Sequence, residues 1–290
     1  MQGLHDVPRQ LLTAADMRQA SQLLKKLTRK QADPCLYTYP FSVQSLVVHF
    51  AIVLALRAKH RPSRELTHLG FRLVNVDRNE NLREWYLKVN PYGRVPTLTY
   101  SALPSPLTDA LSIVYWICDQ CPSLLPKAHQ TEICRLLSQL HEALDRYGAA
   151  NPTVDDLLTN HDITPTHRQA LEYKRDCQRK QRELVSMSLS DGQSMTAQST
   201  SFLNEIVELR EKYSKGGTWI FGDKVGPTVL DAHVVPFVTR LDDIHLDDLV
   251  PDQLRKYAQK IRRLPQGKEA MGHRPTVWDA SLGPIDEIRL

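Results

Sequence analysis

The stretch Asn90-Pro91-Tyr92-Gly93-Arg94-Val95-Pro96-Thr97-Leu98 decides how this chain folds. Two prolines and a glycine this close together break any helix or central strand, so the stretch reads as a turn-rich link. Thr97 to Tyr100 follows as a strand, Ser101 to Pro106 as a hairpin turn and Leu107 as a short fourth strand. Asp109 to Asp119 reads as a helix with Leu111, Val114, Tyr115 and Ile117 on its apolar side. Upstream of the link, Asn81 to Lys88 reads as a short helix and His68 to Val76 as a strand. Val43 to Ala58 carries Leu46, Val47, Phe50 and Leu54 at helical spacing, with Ser42 as its N-cap. Before it, Cys35-Leu36-Tyr37-Thr38-Tyr39 is β-branched and aromatic enough for a short buried strand, closed by a turn at Pro40 and Phe41. The order β-α-β-α-β-β-α predicts a small mixed sheet covered by helices on both faces.

Beyond Cys121 the pattern changes, and no convincing strand follows. Helices are predicted over Thr131 to Tyr147, Thr166 to Met187, Thr196 to Tyr213, Thr228 to Leu241 and Pro251 to Leu264. The fourth of these is almost wholly apolar and therefore a buried helix. Asn151 to Thr166 reads as polar and irregular, and Ser188 to Ser194 as a break. The chain thus divides into an N-terminal helical extension (1–33), a first domain (34–120), a linker (121–129), an all-helical domain (130–272) and a tail (273–290).

Composition narrows the class. Lys+Arg (37) and Asp+Glu (33) are interspersed, which is not the basic stripe of a nucleic-acid binder. No apolar run approaches the roughly 20 residues that span a bilayer, and the first residues lack a signal peptide's apolar centre. A cytoplasmic protein is expected. Five cysteines are an odd count in a long chain, so reduced thiols rather than a disulfide framework are expected. Cys118 and Cys121 form a C-x-x-C, but at the end of a helix, and they read as structural. No metal cluster, phosphate loop or dinucleotide fingerprint is present.

Three landmarks of the first domain together resemble the glutathione S-transferase superfamily. They are Leu36 to Ser45, a strand, turn and helix start carrying a hydroxyl; the N-P-x-G-x-V-P-x-L link; and Leu107-Thr108-Asp109-Ala110-Leu111-Ser112-Ile113, a helix start. A fourth, Phe221 to Asp231, resembles the family's element before its buried helix, in which Thr228 caps and Asp231 reaches back to the first turn. The resemblance spans roughly residues 35–265, with 151–195 longer than usual. It implies a thioredoxin-like α/β first domain plus an all-α second domain.

The resemblance also implies the chemistry. Glutathione, as substrate or cofactor, needs its backbone held, its charged ends met and its thiol activated, since only the thiolate is the nucleophile. Pro96 is expected in the cis form, freeing the Val95 backbone to pair with the tripeptide. Asp109 and the Ala110 backbone, at a helix N-terminus, are expected to hold the γ-glutamyl end. Ala110 stands where the family usually has serine, which removes a hydroxyl donor worth roughly 0.5–1.5 kcal/mol. Arg94, and less directly Asn81, are expected on the glycyl carboxylate. Ser42, aligned with the first serine of a zeta-class motif, is the expected thiolate stabiliser, though it also reads as a plain N-cap. Tyr39 and Tyr37 are the alternatives. Phe41 and Tyr115 are expected to line the site of the second substrate.

The function implied is transfer of the glutathione thiolate to a small hydrophobic electrophile, in a specialised, fungal-type biosynthetic pathway. A glutathione-dependent cis–trans isomerase acting by transient thiolate addition is the first alternative, and a non-catalytic scaffold of the same fold the second. The partners implied are glutathione, a small hydrophobic co-substrate and a second copy in a homodimer, with no nucleic acid, membrane span or metal.

Overall fold

The computed structural model describes residues 33–59, 61–147, 153–189, 195–272 and 274–288. The predicted extension, and most of the break predicted from Ser188, lie outside them. In the first domain, strand β1 (Cys35–Thr38) leads into α1 (Val43–Leu56). The short α2 (Arg64–Thr67) precedes β2 (Gly70–Leu73). A 3-10 turn (Glu80–Leu82) and α3 (Glu84–Leu87) lead to β3 (Thr97–Thr99) and α4 (Ala110–Gln120). The sheet order is β2-β1-β3, with β1 parallel to β2 and antiparallel to β3.

Several elements are shorter than predicted, each for a local reason. β2 stops at Leu73 because Asn75 turns the chain: its Oδ1 accepts from Arg78 N–H at 3.1 Å and its carbonyl from Glu80 N–H at 3.0 Å. The helix predicted over Asn81 to Lys88 is split at Arg83, whose backbone is extended (φ −74, ψ 149). Leu107 makes an isolated bridge to Leu98 instead of a strand. Pro106 beside it has no N–H to extend a ladder.

The second domain comprises α5 (Gln130–Tyr147), α6 (Thr153–Thr159), α7 (Pro165–Leu189), α8 (Met195–Leu209), α9 (Val229–Asp243), α10 (Asp252–Arg263) and α11 (Pro265–Met271). The stretch read as irregular contains α6. Its Val154, Leu157 and Leu158 repeat at helical spacing and pack with Leu171 of α7 on Leu82 and Leu87 of the first domain. Neighbouring acids, Asp155 and Asp156, obscure that short repeat in the sequence.

Helix α1 joins the domains. Nearly all of it is buried, from Ser45 to Ala55, because it packs on α4 on one side and on α9 and α11 on the other. The start of α9 is fixed by Asp231. Its carboxylate accepts from Thr228 N–H (2.7 Å), Thr228 Oγ1 (2.8 Å), Ile220 N–H (2.9 Å) and Tyr257 OH (2.6 Å). Four donors hold this group in place even though burial pushes its carboxyl above the usual range. Residues 274–288, read from sequence as a tail, are packed: Trp278, Leu282 and Ile285 join an apolar cluster with Tyr39, Phe41, Val74 and Val95.

Candidate functional site

The turn at Asn90–Pro96 is locked by its own side chains. The Arg94 carbonyl accepts from Tyr86 OH (2.5 Å), Asn90 Nδ2 (2.9 Å) and Thr97 Oγ1 (3.3 Å). Asn90 Oδ1 accepts from Tyr92 N–H at 2.9 Å. Gly93 is required here: its φ is +55, and a Cβ would lie 2.9 Å from the Asn81 carbonyl oxygen. The Val95–Pro96 peptide is cis. Val95 lies just ahead of the sheet pairing, which begins at Thr97.

Across from this turn, Ser42 caps α1, its Oγ accepting from Ser45 N–H at 3.3 Å. A hydroxyl that accepts with one lone pair keeps its hydrogen to donate. The N-cap and thiolate readings of Ser42 are therefore compatible.

Both features open on one cavity of about 410 Å³. It gathers Phe41, Ser42, Asn81, Arg94 and Val95, all expected from sequence. Asn81 is also structural, since its Nδ2 donates to the Gly93 carbonyl at 2.9 Å. The opposite wall comes from the end of α9, with Phe237, Arg240, Leu241 and Ile244. None of these was assigned from the sequence, because the rotation of a helix that is apolar all round cannot be read from its pattern. The one cue was a lone arginine closing an apolar run.

Two expectations need correction. Tyr39 does not line the cavity. Alternation along β1 sends Tyr37 and Tyr39 to the same face, away from α1. There Tyr37 packs on Trp85 and Tyr86, and Tyr39 edge-on to Phe41 at 5.8 Å. The Tyr39 hydroxyl donates to Asp77, and burial with that carboxylate raises its pKa well above the usual value, the opposite of activation. Tyr115 also lies off the cavity, half-buried on α4, its hydroxyl against Cys134 of α5 and its pKa raised by burial.

Three other expected residues lie outside this cavity. Pro96 is buried behind Val95, and Ala110 is buried at the start of α4. Asp109 is exposed and caps α4, accepting from Ser112 N–H at 2.8 Å.

The segment 153–189 braces the back of this site. His167 Nε2 donates to the Leu82 carbonyl at 2.7 Å, Thr164 Oγ1 to Glu84 at 2.6 Å, and buried Lys174 to the Tyr92 carbonyl. Burial, with the Arg94 charge nearby, lowers the Lys174 pKa to about 8. All five cysteines are free, and burial pushes the Cys118 thiol up to about 12. Among the described residues no group of three or more His, Cys, Asp or Glu is placed to hold a metal. No described helix is long and apolar enough to cross a membrane.

Residues 36–124 match the family "Glutathione S-transferase, N-terminal domain". No curated protein matches the chain. Among solved structures, maleylacetoacetate isomerase from Methylobacterium extorquens AM1, with bound malonate and glutathione, is 17% identical, covering 84% of this chain and 100% of its own at a TM-score of 0.53. A bacterial zeta-class maleylpyruvate isomerase is 19% identical, covering 83% of this chain and 98% of its own, with a TM-score of 0.49. An epsilon-class glutathione S-transferase from the housefly, Musca domestica, is 21% identical, covering 83% and 92%, with a TM-score of 0.47. At such identities the likeness is one of fold. The chain has the glutathione S-transferase fold, a thioredoxin-like domain with a small mixed sheet followed by a helical domain.

Proposed function

We propose that the protein binds glutathione and transfers its thiolate to a small apolar electrophile. The convergence of Ser42, Arg94 and Val95 on one cavity walled by α9 carries this reading. In it, the Val95 backbone pairs with the cysteinyl unit and Arg94 meets the glycyl carboxylate. Asp109 and the N–H groups at the start of α4 take the γ-glutamyl end, beside the cavity. The Ser42 hydroxyl donates to the sulfur and favours its charged form. Phe41, Phe237 and Leu241 give the electrophile an apolar bed beside the sulfur. The wider reading is a cytoplasmic homodimer acting in a specialised biosynthetic pathway.

Titration calorimetry with reduced glutathione tests the reading. Binding is expected, and it weakens in Arg94→Gln. No heat at saturating ligand removes the glutathione reading and leaves a scaffold of this fold. Ser42 is tested by the ultraviolet absorbance of bound thiolate against pH. Ser42→Gly preserves capping to within a few tenths of a kcal/mol while removing the hydroxyl. Its thiol should titrate at higher pH than in the native protein. An unchanged titration ends the role given to Ser42.

A further inference from the structure

The cavity is electrostatically one-sided. Two arginines line it, Arg94 from the first domain and Arg240 from α9, and no aspartate or glutamate does. Around Arg240 the α9 wall is apolar, with Phe237, Leu241 and Ile244.

Arg240 is held rigidly. Its Nη2 donates to the Phe41 carbonyl and, at 2.6 Å, to the Thr276 carbonyl. These neutral acceptors fix the guanidinium without cancelling its charge. Asp243, one turn further along α9, is the carboxylate that acts on it electrostatically. That carboxylate is itself engaged: its Oδ2 accepts from Thr276 N–H (2.6 Å) and Thr276 Oγ1 (2.7 Å). The Nε of Arg240 is buried and has no hydrogen-bond partner. That atom is sealed off from the cavity, so it is the remainder of the guanidinium, with its charge, that a ligand would meet. The side chain is thus pre-organised beside an apolar bed, and no lining carboxylate cancels its charge.

We propose that the second substrate is an apolar molecule carrying a carboxylate, anchored by Arg240 and seated on Phe237, Leu241 and Ile244. The inference rests on the glutathione reading, which makes this molecule the second substrate and assigns Arg94 to the tripeptide.

The probes are 4-phenylbutyrate and 4-phenylbutanamide, alike in shape and different in charge, titrated with and without saturating glutathione. The carboxylate should bind about tenfold tighter than the amide, as charge-assisted hydrogen bonds exceed neutral ones. Arg240→Gln should bring the two affinities together, and Arg240→Lys should keep part of the preference. Arg94→Gln should weaken glutathione binding and retain the preference. Equal affinities in the native protein overturn the proposal, as does a preference that follows Arg94 instead of Arg240. If Arg240→Gln does not fold, a crystal of the native protein soaked with 4-phenylbutyrate decides. A carboxylate on Arg240 supports the site, and one placed elsewhere sinks it. A carboxylate preference without glutathione binding supports the anion site and removes the transferase reading. Glutathione binding without the preference does the reverse.

Discussion

The two walls of the cavity are made by different means. The Val95 wall is held mainly by local bonds: every donor to the Arg94 carbonyl comes from residues 86–97, Gly93 supplies the left-handed turn, and Lys174 adds one brace from afar on the Tyr92 carbonyl. The α9 wall is assembled from afar. Arg240 reaches Phe41 and Thr276, Asp243 holds Thr276, and Asp231 draws donors from residues 220 to 257. A local wall should fail locally, disturbing ligand binding more than global stability. A wall built from long-range buried polar contacts should fail with the whole fold.

Asp231→Ala gives the largest expected effect. It strands the donors of Ile220, Thr228 and Tyr257 in the core, at a cost of about 3–5 kcal/mol from several unpaired groups. Urea unfolding reads this directly, and a loss under 1 kcal/mol would contradict the long-range account of that wall.

Acid should act on the same wall through His233. Its Nδ1 donates to the Val229 carbonyl (2.7 Å), so in the neutral ring Nε2 accepts from His141 Nε2 at 2.9 Å. Burial first, then His141, lower its pKa to about 3. The folded value lies below the ordinary 6.5, so the unfolded chain takes up the proton first. The stability this pair supplies is complete above pH 6.5 and is lost as pH falls toward 3. Acidifying from pH 6.5 to 5 should remove about 2 kcal/mol, at roughly 1.4 kcal/mol per pH unit. Melting curves across that range should show the loss in the native protein and a shallower slope in His233→Leu. Parallel slopes would take His233 out of the acid response.

On the local wall, Asn90→Ala removes donors to Arg94 and Thr97 and an acceptor for Tyr92, and should cost about 1–3 kcal/mol. Tyr86→Phe removes one hydroxyl and should cost about 1 kcal/mol. For both, glutathione affinity should fall by a larger factor than the folding equilibrium. Calorimetry beside urea melts makes the comparison, and proportionate losses would erase the distinction between the walls.

The same division governs what could be read in advance. Gly93 and Ser42 act over a few residues, through backbone angle or capping geometry, and such rules are written in sequence order. Arg94 and Val95, expected from the resemblance, line the cavity because the Gly93 turn carries its neighbours with it. Tyr39 and Tyr115 were misplaced because the side of an element that a residue takes depends on what packs there. Helix α6 was missed because its apolar repeat is only two turns long.

The sequence by itself determined the small mixed sheet, the capped buried helix and the change to an all-helical second half, and its resemblance to glutathione S-transferases pointed to the cis turn before β3. The sheet, the helix and the change of pattern follow from periodicity and from residues whose conformational limits hold anywhere. The tertiary structure alone decided that α9 turns Arg240 toward Ser42, that residues 153–189 brace the Gly93 turn, and that residues 274–288 pack beside Phe41. Those depend on helix rotation and on contacts between residues far apart in the chain, 199 positions in the case of Arg240 and Phe41, which no local spacing encodes.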